Sequence, residues 1–277
     1  MQKLQWFPGH MAKAVRMMED NIKLVDAVII ILDSRAYKSC MNPTFTRLFE
    51  NKKVLYVLNK SDLVEEKDIM RIKKELKSEG KESVSIVGTE KKATKKLVDA
   101  IFLALEEKVE RAKAKGIYRP MRVMVAGIPN TGKSTIINTI CGKKKAETGD
   151  KAGVTRSKQW IRLDGLELLD TPGTMPPFFE NQEYAKRLAY IGSINDDILD
   201  FEDLLLEFLK EISQKYPIML KNKYNLTNLE LRPLELYEEI CRNRGYILKG
   251  QEYDYSRCAK AVFNDFRNGR IGKICLD

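Results

Sequence analysis

The chain has 277 residues, of which 43% are hydrophobic and 32% charged, and its formal net charge is +10. Such a chain can bury a complete hydrophobic core, which excludes an intrinsically disordered protein and leaves room for about two domains. No apolar run approaches the roughly 20 residues of a membrane span, and the scattered cysteines contain no C-x-x-C pair that would indicate zinc. We therefore expect a cytoplasmic protein that has no contact with a membrane.

The positive charge is concentrated before residue 178. Residues 1–177 contain 34 Lys and Arg against 22 Asp and Glu, whereas residues 178–277 contain 15 against 17. The basic clusters are Lys73–Lys81, Lys91–Lys96, Arg111–Arg122 and Lys143–Lys145. Such a surplus attracts polyanions and favours RNA as a partner, although each cluster is also compatible with an ordinary solvated helix face.

The first half of the chain alternates between helical and strand patterns. Helical spacing covers 11–24, 67–78 and 93–111, and apolar strand patterns cover Ala27–Asp33, Val54–Leu58 and Val84–Val87. Strands without polar alternation are buried on both faces, as in parallel sheets that helices cover. The pattern therefore predicts an α/β domain with a mostly parallel sheet and helices on both faces.

The second half begins with a predicted connection, 111–120, and then changes from mixed to helical patterns. A strand at Arg122–Ala126, a helix at Lys133–Ile140 and a hairpin of Trp160–Leu163 with Leu166–Leu169 are followed by helices near 182–191, 197–214, 233–244 and 254–266. We predict an α/β domain over residues 1–177 and an all-α domain over 178–277.

A glycine-rich motif, Gly127-Ile128-Pro129-Asn130-Thr131-Gly132-Lys133-Ser134, lies between a predicted strand and a predicted helix. Its glycines let backbone N–H groups surround phosphates, and the helix directs its positive end at them. The predicted phosphate-binding residues are Asn130, Thr131, Gly132, Lys133, Ser134 and Thr135. Lys133 is expected to bridge the terminal phosphates and Ser134 to bind Mg²⁺.

A second motif, Asn59-Lys60-Ser61-Asp62, follows a buried strand. The Asp62 carboxylate can accept two hydrogen bonds from guanine, whereas adenine would leave it unpaired. Asn59 is expected to contact the purine and hold the loop, and the Lys60 stem to lie across the ring. Val87 and Gly88 end the next strand at the same sheet edge and are predicted to meet the base. GTP and GDP are therefore the expected nucleotides.

A third motif, Asp170-Thr171-Pro172-Gly173, follows the hairpin. Asp170 is predicted to hold Mg²⁺ through water, and the Gly173 N–H to contact the terminal phosphate. Thr155 lies in a polar stretch between the other motifs and is predicted as a further Mg²⁺ ligand.

The guanine motif precedes the phosphate motif, which reverses the order found in ordinary GTPases. Together with Trp6-Phe7-Pro8-Gly9-His10-Met11 and the helical tail, this order resembles the circularly permuted GTPases, in particular those that assemble the large ribosomal subunit. The resemblance covers nearly the whole chain. It implies a GTP hydrolase that binds a late large-subunit precursor and leaves on GTP cleavage, with the helical domain contacting ribosomal RNA, and we expect a monomer away from the ribosome.

The resemblance also implies two site residues. Position 174, which follows the third motif, is threonine, whereas many GTPases have a catalytic glutamine there and the resembled family has a bulky aliphatic residue. That family is thought to use a histidine from its amino-terminal segment, which corresponds to His10, and we predict that His10 lies on a mobile loop before the first helix and positions water. Asn130 corresponds to an asparagine that helps bind K⁺ in several potassium-activated GTPases.

Two alternatives remain open at this point. The chain could be a GTPase that acts on tRNA or another RNA outside the ribosome. It could instead be a GTP-gated RNA-binding module whose hydrolysis is incidental. An RNA-contacting surface in the tail is predicted to comprise Arg242, Arg244, Arg257, Lys260, Arg267, Arg270 and Lys273, with Tyr253 and Tyr255 available for stacking.

Overall fold

The computed structural model describes residues 4–142, 159–228 and 230–277. Within these ranges six strands form one sheet in the order β3-β2-β1-β4-β6-β5. They are β1 (Ala27–Asp33), β2 (Lys53–Asn59), β3 (Glu82–Ser85), β4 (Met121–Ala126), β5 (Gln159–Leu163) and β6 (Leu166–Asp170). Every neighbouring pair is parallel except β5 with β6, which form the predicted hairpin. The predicted mostly parallel sheet is confirmed.

The α-helices are α1 (Gly9–Asn21), α2 (Pro43–Leu48), α3 (Glu66–Ser78), α4 (Lys91–Ala104), α5 (Glu106–Ala114), α6 (Lys133–Cys141), α7 (Gln182–Tyr190), α8 (Phe201–Lys215), α9 (Pro217–Tyr224), α10 (Pro233–Arg244) and α11 (Tyr255–Arg267). None of the helices in the described part of the chain has the length and apolarity that a membrane span requires. In the described residues after β6 the regular elements are helices, apart from a single bridge between Ile247 and Tyr253, which confirms the predicted helical carboxyl-terminal region.

Strand β1 lies in the middle of the sheet and is buried along its whole length. Successive side chains of a strand point to opposite faces. Ile30 therefore belongs to one hydrophobic core, which also contains Met18 of α1 and Phe208 of α8. Ile29 belongs to a second core on the opposite face, which contains Leu97 of α4. This double coverage explains the uninterrupted apolar sequence of the strand.

Several predicted helix limits were wrong. The predicted helix over 93–111 is divided between α4 and α5 at Leu105, which is buried and has non-helical backbone angles, whereas α5 has no buried residue. Because α5 extends to Ala114, the predicted connection begins later than Arg111. The sequence pattern also misses α2 and α9, which begin with proline and are too short to show clear periodicity.

The chain beyond α11 returns to the sheet. The backbone N–H of Ile274 donates to the Leu63 carbonyl at 3.1 Å, and the N–H of Leu276 donates to the Arg35 carbonyl at 2.7 Å. Both returning side chains are fully buried in the core that the sheet shares with the helical region. The end of the helical region is thus packed against the segments that directly follow β1 and β2, and the division at residues 177 and 178 stays a prediction about chain organisation.

Candidate nucleotide-binding site

The three motifs lie at one edge of the sheet, beyond the carboxyl ends of neighbouring parallel strands. Asp33 at the end of β1 is in register with Asn59 at the end of β2, and Val125 of β4 is in register with Asp170 at the end of β6. Ligands of doubly wound α/β folds bind in the crevice outside these strand ends. The fold therefore brings residues that are distant in the sequence to a single site.

The loop between β4 and α6 requires glycine at two positions. Gly127 has φ 151°, and a Cβ atom there would lie 2.7 Å from the Ile31 carbonyl oxygen. Gly132 has φ 93°, and a Cβ atom there would collide with the Asn59 side-chain nitrogen. Because glycine has no Cβ atom, the loop can lie this close to the strand ends, as a phosphate-binding loop requires.

Lys133, the first residue of α6, is buried beneath this loop. Its Nζ donates to the Ile128 carbonyl at 2.7 Å. Burial lowers the pKa of Lys133 to about 8, although the nearby Asp170 carboxylate opposes the shift. A cation that is held inside the loop near a helix amino terminus can compensate phosphate charge. Ser134 and Thr135 follow on the same helix and are partly buried.

Asp170 is 2% exposed, and its Oδ1 has no hydrogen-bond partner among the described residues. Burial raises the pKa of Asp170 to about 6, against the opposing effect of Lys133. Such an orphaned carboxylate oxygen is costly unless another group satisfies it. A carboxylate here, close enough to Lys133 to interact with its charge, fits a water-ligated divalent cation. Thr155 and the Lys143–Lys145 cluster lie outside the described residues.

Gly173 packs directly against the phosphate loop. A Cβ atom at this position would lie 2.8 Å from the Pro129 nitrogen and 3.0 Å from Lys133 Nζ. The next residue, Thr174, donates its N–H to the Gly127 carbonyl at 3.3 Å, and its own buried hydroxyl has no partner among the described residues. The third motif therefore contacts the phosphate loop through its backbone.

Asn59 joins three segments of the site. Its Nδ2 donates to the Thr131 carbonyl at 2.8 Å, and its Oδ1 accepts the Gly88 N–H at 2.9 Å. The Gly88 carbonyl in turn accepts a hydrogen bond from the Thr139 hydroxyl at 2.7 Å. This arrangement gives Asn59 the loop-holding position and places Gly88 beside the guanine motif. The predicted limits of the strand over Val84–Val87 were wrong, because β3 ends at Ser85, so Val87 and Gly88 follow the strand instead of ending it.

Asp62 differs from its neighbours because it is exposed. Within the described ranges its carboxylate has no hydrogen bond or ion pair, whereas Ser61 donates its hydroxyl to the Ile86 carbonyl at 3.0 Å. A carboxylate at the mouth of the site that forms no internal bond is available to a ligand.

The sequence reasoning missed a buried ion-pair network below the guanine motif. Lys60 has a left-handed backbone, φ 55°, and its Nζ contacts Asp33 Oδ2 at 2.9 Å and the Asn130 carbonyl at 3.0 Å. Asp33 also pairs with Arg35 at 2.7 Å. The only sequence signal was a D-x-R pattern directly after a buried strand.

His10 does not lie on a loop before the first helix, as we had predicted, because α1 begins at Gly9. Pro8 ends the extended segment and accepts the Met11 N–H at 2.8 Å, which places His10 in the first helical turn. The imidazole is exposed, and the Trp6 ring meets it edge-on at 6.5 Å. Its neighbour Met11 is fully buried, and the Met11 sulfur lies 3.4 Å from the Met175 N–H. The start of α1 thus lies beside the segment that follows the third motif.

Asn130 connects the phosphate loop to the helical region. Its Nδ2 donates to the Gly192 carbonyl at 2.6 Å, and the adjacent Pro129 carbonyl accepts the Ser193 hydroxyl at 2.8 Å. The loop after α7 is therefore hydrogen-bonded to the phosphate loop at two successive residues.

The residues suggested for RNA contact separate into two groups. Arg267 is an internal clamp, because it pairs with both Asp196 oxygens at 2.7 and 2.8 Å and donates to the carbonyls of Ala189 and Tyr190. Its place in the predicted surface was wrong. The other cations, Arg242, Arg244, Arg257, Lys260, Arg270 and Lys273, are exposed.

Comparison with known proteins supports the interpretation of these motifs. A family model described as "50S ribosome-binding GTPase" matches residues 122–229, and a model described as "Ethanolamine utilisation - propanediol utilisation" matches residues 8–103. Ribosome biogenesis GTPase A of Bacillus cereus is 38% identical over 276 residues, which cover 99% of this chain and 93% of the relative. Mitochondrial ribosome-associated GTPase 1 of Ictalurus punctatus is 34% identical and covers 100% of this chain and 93% of its own length.

Solved structures show the same fold. The GDP-bound structure of TM YlqF aligns with a TM-score of 0.68 at 24% identity and covers 95% of this chain and 98% of its own. The GNP-bound structure of YlqF from T. maritima gives a TM-score of 0.66 at 24% identity and covers 96% and 97%. This chain is a GTP-hydrolysing enzyme, and it belongs to the ribosome biogenesis GTPase A family of circularly permuted GTPases.

Proposed function

We propose that this GTPase binds a late precursor of the large ribosomal subunit in its GTP state and dissociates when GTP is hydrolysed. The names of its relatives support a role in ribosome assembly. The main support for the release step is the path of the chain after Asp170. This segment contacts the phosphate loop and then enters the helical region.

The contacts along this path are tight. Gly173 lies against Pro129, and the Thr174 carbonyl accepts the Asn42 side-chain amide at 3.1 Å. Met175 is fully buried, and its N–H faces the Met11 sulfur of α1. Helix α7 then begins at Gln182. A change at Gly173 when the terminal phosphate is lost therefore has a short covalent route to the helical region.

The phosphate site is proposed to work as follows. The backbone of Asn130, Thr131, Gly132 and Thr135 surrounds the phosphates, Lys133 bridges the terminal ones, and the Gly173 N–H contacts the last. Ser134 and Thr155 bind Mg²⁺ directly, and Asp170 binds it through water. Bound Mg²⁺ would neutralise charge on the phosphate oxygens.

The base site is proposed to read guanine through the exposed Asp62 carboxylate. The Lys60 stem, held at its end by Asp33 and the Asn130 carbonyl, lies across the ring. Asn59 keeps the phosphate loop and Gly88 in place beside it.

His10 is proposed to position the attacking water. Its exposed imidazole lies in the first turn of α1, and the next residue, Met11, packs beside Met175 in the segment that follows the third motif. His10→Ala should lower ribosome-stimulated turnover by about 10²-fold and leave GDP affinity unchanged. Glu19→Ala, an exposed change at the other end of α1, is the control. Unchanged stimulated turnover of the His10 variant would refute this role.

Asn130 is proposed as a K⁺ ligand through its side-chain carbonyl oxygen. The hydrogen bond from its amide nitrogen to Gly192 fixes the side chain beside the phosphate loop. Turnover in the presence of the ribosomal partner should therefore be faster in potassium than in sodium buffer. Equal turnover in the two buffers would contradict the assignment.

Ribosomal RNA is proposed to contact the exposed cations near α10 and α11. Arg242 donates to the Tyr253 hydroxyl at 3.0 Å, and the Arg257 guanidinium lies 5.4 Å from the centre of the Tyr246 ring. Paired cations and aromatic rings suit a partner with phosphates and bases. Residues 241–277 hold 8 Lys and Arg against 4 Asp and Glu, so the charge favours RNA locally.

Co-sedimentation tests this function against its alternatives. The protein should sediment with large-subunit precursors in GTP or a non-hydrolysable analogue and remain in the supernatant in GDP. Binding to free tRNA alone would favour a GTPase that acts outside the ribosome. Nucleotide-dependent binding that persists unchanged after GTP is cleaved would favour an RNA-binding module with incidental hydrolysis.

A further inference from the structure

The carboxyl end of β1 holds a charged pair that is removed from solvent. Arg35 and Asp33 side chains are 1% and 0% exposed. Arg35 Nε donates to Asp33 Oδ1 at 2.9 Å, and its Nη2 donates to Oδ2 at 2.7 Å. The guanidinium is therefore bound in a bidentate manner, which fixes its orientation as well as its charge.

The remaining guanidinium nitrogen reaches the helical region. Arg35 Nη1 donates to the carbonyls of Phe266 and Arg267 at 3.1 and 3.2 Å, and these are the last two residues of α11. The guanidinium also lies 5.0 Å from the centre of the Phe266 ring. A cation at a helix carboxyl end compensates the partial negative charge of the free carbonyls. Arg35 thus links β1 to the end of α11.

The same pair also reaches the nucleotide motifs. Asp33 Oδ2 contacts Lys60 Nζ at 2.9 Å, and that Nζ donates to the Asn130 carbonyl at 3.0 Å. A continuous chain of charge-assisted bonds therefore runs from α11 through Arg35 and Asp33 to the guanine lysine and the phosphate loop.

The members of this chain depend on one another. Burial alone would raise the pKa of Asp33, but Arg35 and Lys60 hold it well below its usual range. Loss of one cation leaves the carboxylate with the other, so a displacement of Lys60 changes the environment of Arg35 and of the α11 carbonyls. Such a mutual dependence is the physical requirement for coupling between two sites.

We propose that Arg35 is a positioning residue that couples guanine-nucleotide binding at Lys60 and the phosphate loop to the carboxyl end of α11. The inference rests on the proposed placement of the nucleotide across Lys60. Because coupling free energy is reciprocal, a partner that displaces the end of α11 changes nucleotide affinity by the same factor by which the nucleotide changes partner affinity.

A matched pair at the other end of β1 provides the control. Asp26 precedes the strand, is buried, and binds Arg119 at 2.8 Å through both oxygens and Lys108 at 2.8 Å. As with Asp33, one buried carboxylate binds an arginine and a lysine, although Arg119 is half exposed whereas Arg35 is buried. It lies at the amino-terminal sheet edge, away from the nucleotide motifs, so Arg119→Lys perturbs the same chemistry without touching the site.

The experiment compares the wild type, Arg35→Lys and Arg119→Lys by GDP affinity, by urea unfolding without nucleotide, and by hydrogen exchange with and without GDP. The exchange readout is the backbone amides of residues 268–270, which donate to carbonyls of α11. In the wild type, GDP should slow their exchange. Arg35→Lys should abolish this slowing and weaken GDP binding about fivefold or more. Arg119→Lys should lower stability and leave both readouts unchanged.

The outcomes separate the possible failures. If the Arg35→Lys protein loses stability but keeps its GDP affinity and its GDP-dependent exchange, Arg35 has only a structural role and the proposal is overturned. A wild type that binds GDP without slower exchange at residues 268–270 would also overturn it. A wild type that does not bind GDP would instead remove the proposed function. If Arg35→Lys does not fold, Asp33→Asn combined with Arg35→Gln, which removes both charges, should show the same loss of coupling.

Discussion

Replacing Asp170 with asparagine should stabilise the nucleotide-free protein and impair its magnesium-dependent use of GTP. The carboxylate is 2% exposed, its Oδ1 has no partner among the described residues, and burial raises its pKa from 3.8 to about 6. The folded state therefore holds this proton more tightly than the unfolded state. For a carboxyl with a raised folded-state pKa, the ionised form opposes folding above that pKa, and the opposition disappears as the pH falls toward the unfolded value.

The stability cost of the ionised Asp170 carboxylate follows from its raised pKa. About two pKa units at 1.36 kcal/mol each amount to about 3 kcal/mol of lost stability above pH 7. Asparagine removes this cost, but it also removes a carboxylate that supports the charge of buried Lys133. We therefore expect a net gain of about 1–2 kcal/mol at pH 7.5 and no gain near pH 4, since the wild-type carboxyl is then largely protonated.

Urea unfolding in EDTA without nucleotide measures this gain, and GTP turnover against Mg²⁺ concentration measures the functional loss. The variant should need at least about tenfold more Mg²⁺, as is usual when an outer-shell partner is removed. Asp26→Asn is the matched control, because Asp26 is buried with Arg119 and Lys108 and its pKa is held low. That variant should lose roughly 1–3 kcal/mol at pH 7.5. If Asp170→Asn loses stability as well, the reasoning about the orphaned carboxylate is refuted.

Three further predictions follow from the site. Asp62→Asn should reduce GDP affinity by about 10²-fold and favour xanthine nucleotides, because the asparagine NH₂ donor would face the amino group of guanine but the carbonyl oxygen of xanthine. Competition binding measures both affinities, and equal affinity of the wild type for GDP and XDP would contradict the prediction. Gly132→Ala should weaken GDP binding by about tenfold, because the added Cβ atom would collide with Asn59. Gly142 also has a positive φ but has open space around it, so Gly142→Ala should lower stability by only about 1 kcal/mol and leave GDP affinity unchanged. Thr174→Val should raise stability by about 1 kcal/mol in thermal unfolding, because it removes a buried hydroxyl without a partner, and a loss instead would indicate a bond to ordered water.

The central strands and the phosphate loop were predictable because local sequence determines them, whereas β3 begins and ends two residues before its predicted limits. β1 coincides with its predicted range, since a strand buried on both faces appears as one apolar run. The loop needs glycine at Gly127 and Gly132 for contacts with the neighbouring strands, so its pattern is distinctive. Helix α6 likewise begins at Lys133 as predicted and ends at Cys141, one residue later than predicted, because the left-handed Gly142 follows.

The parts that the sequence did not predict depend on contacts between distant residues. Arg35 has partners in α11, more than 230 positions away, and a D-x-R pattern alone does not distinguish such a clamp from a surface pair. The return of residues 271–277 to the sheet has no local signal either. The position of His10 depended on where α1 begins, and Pro8, in an extended conformation as the residue before the helix, starts it earlier than the apolar pattern indicated.

GTP hydrolysis measured with and without purified large ribosomal subunits tests the central claim most directly. The account predicts that large subunits accelerate turnover by at least about tenfold, as partners do for other GTPases, whereas small subunits and free tRNA have no effect. An equal rate with and without large subunits, or equal acceleration by tRNA, would contradict the claim that this GTPase acts on the large subunit.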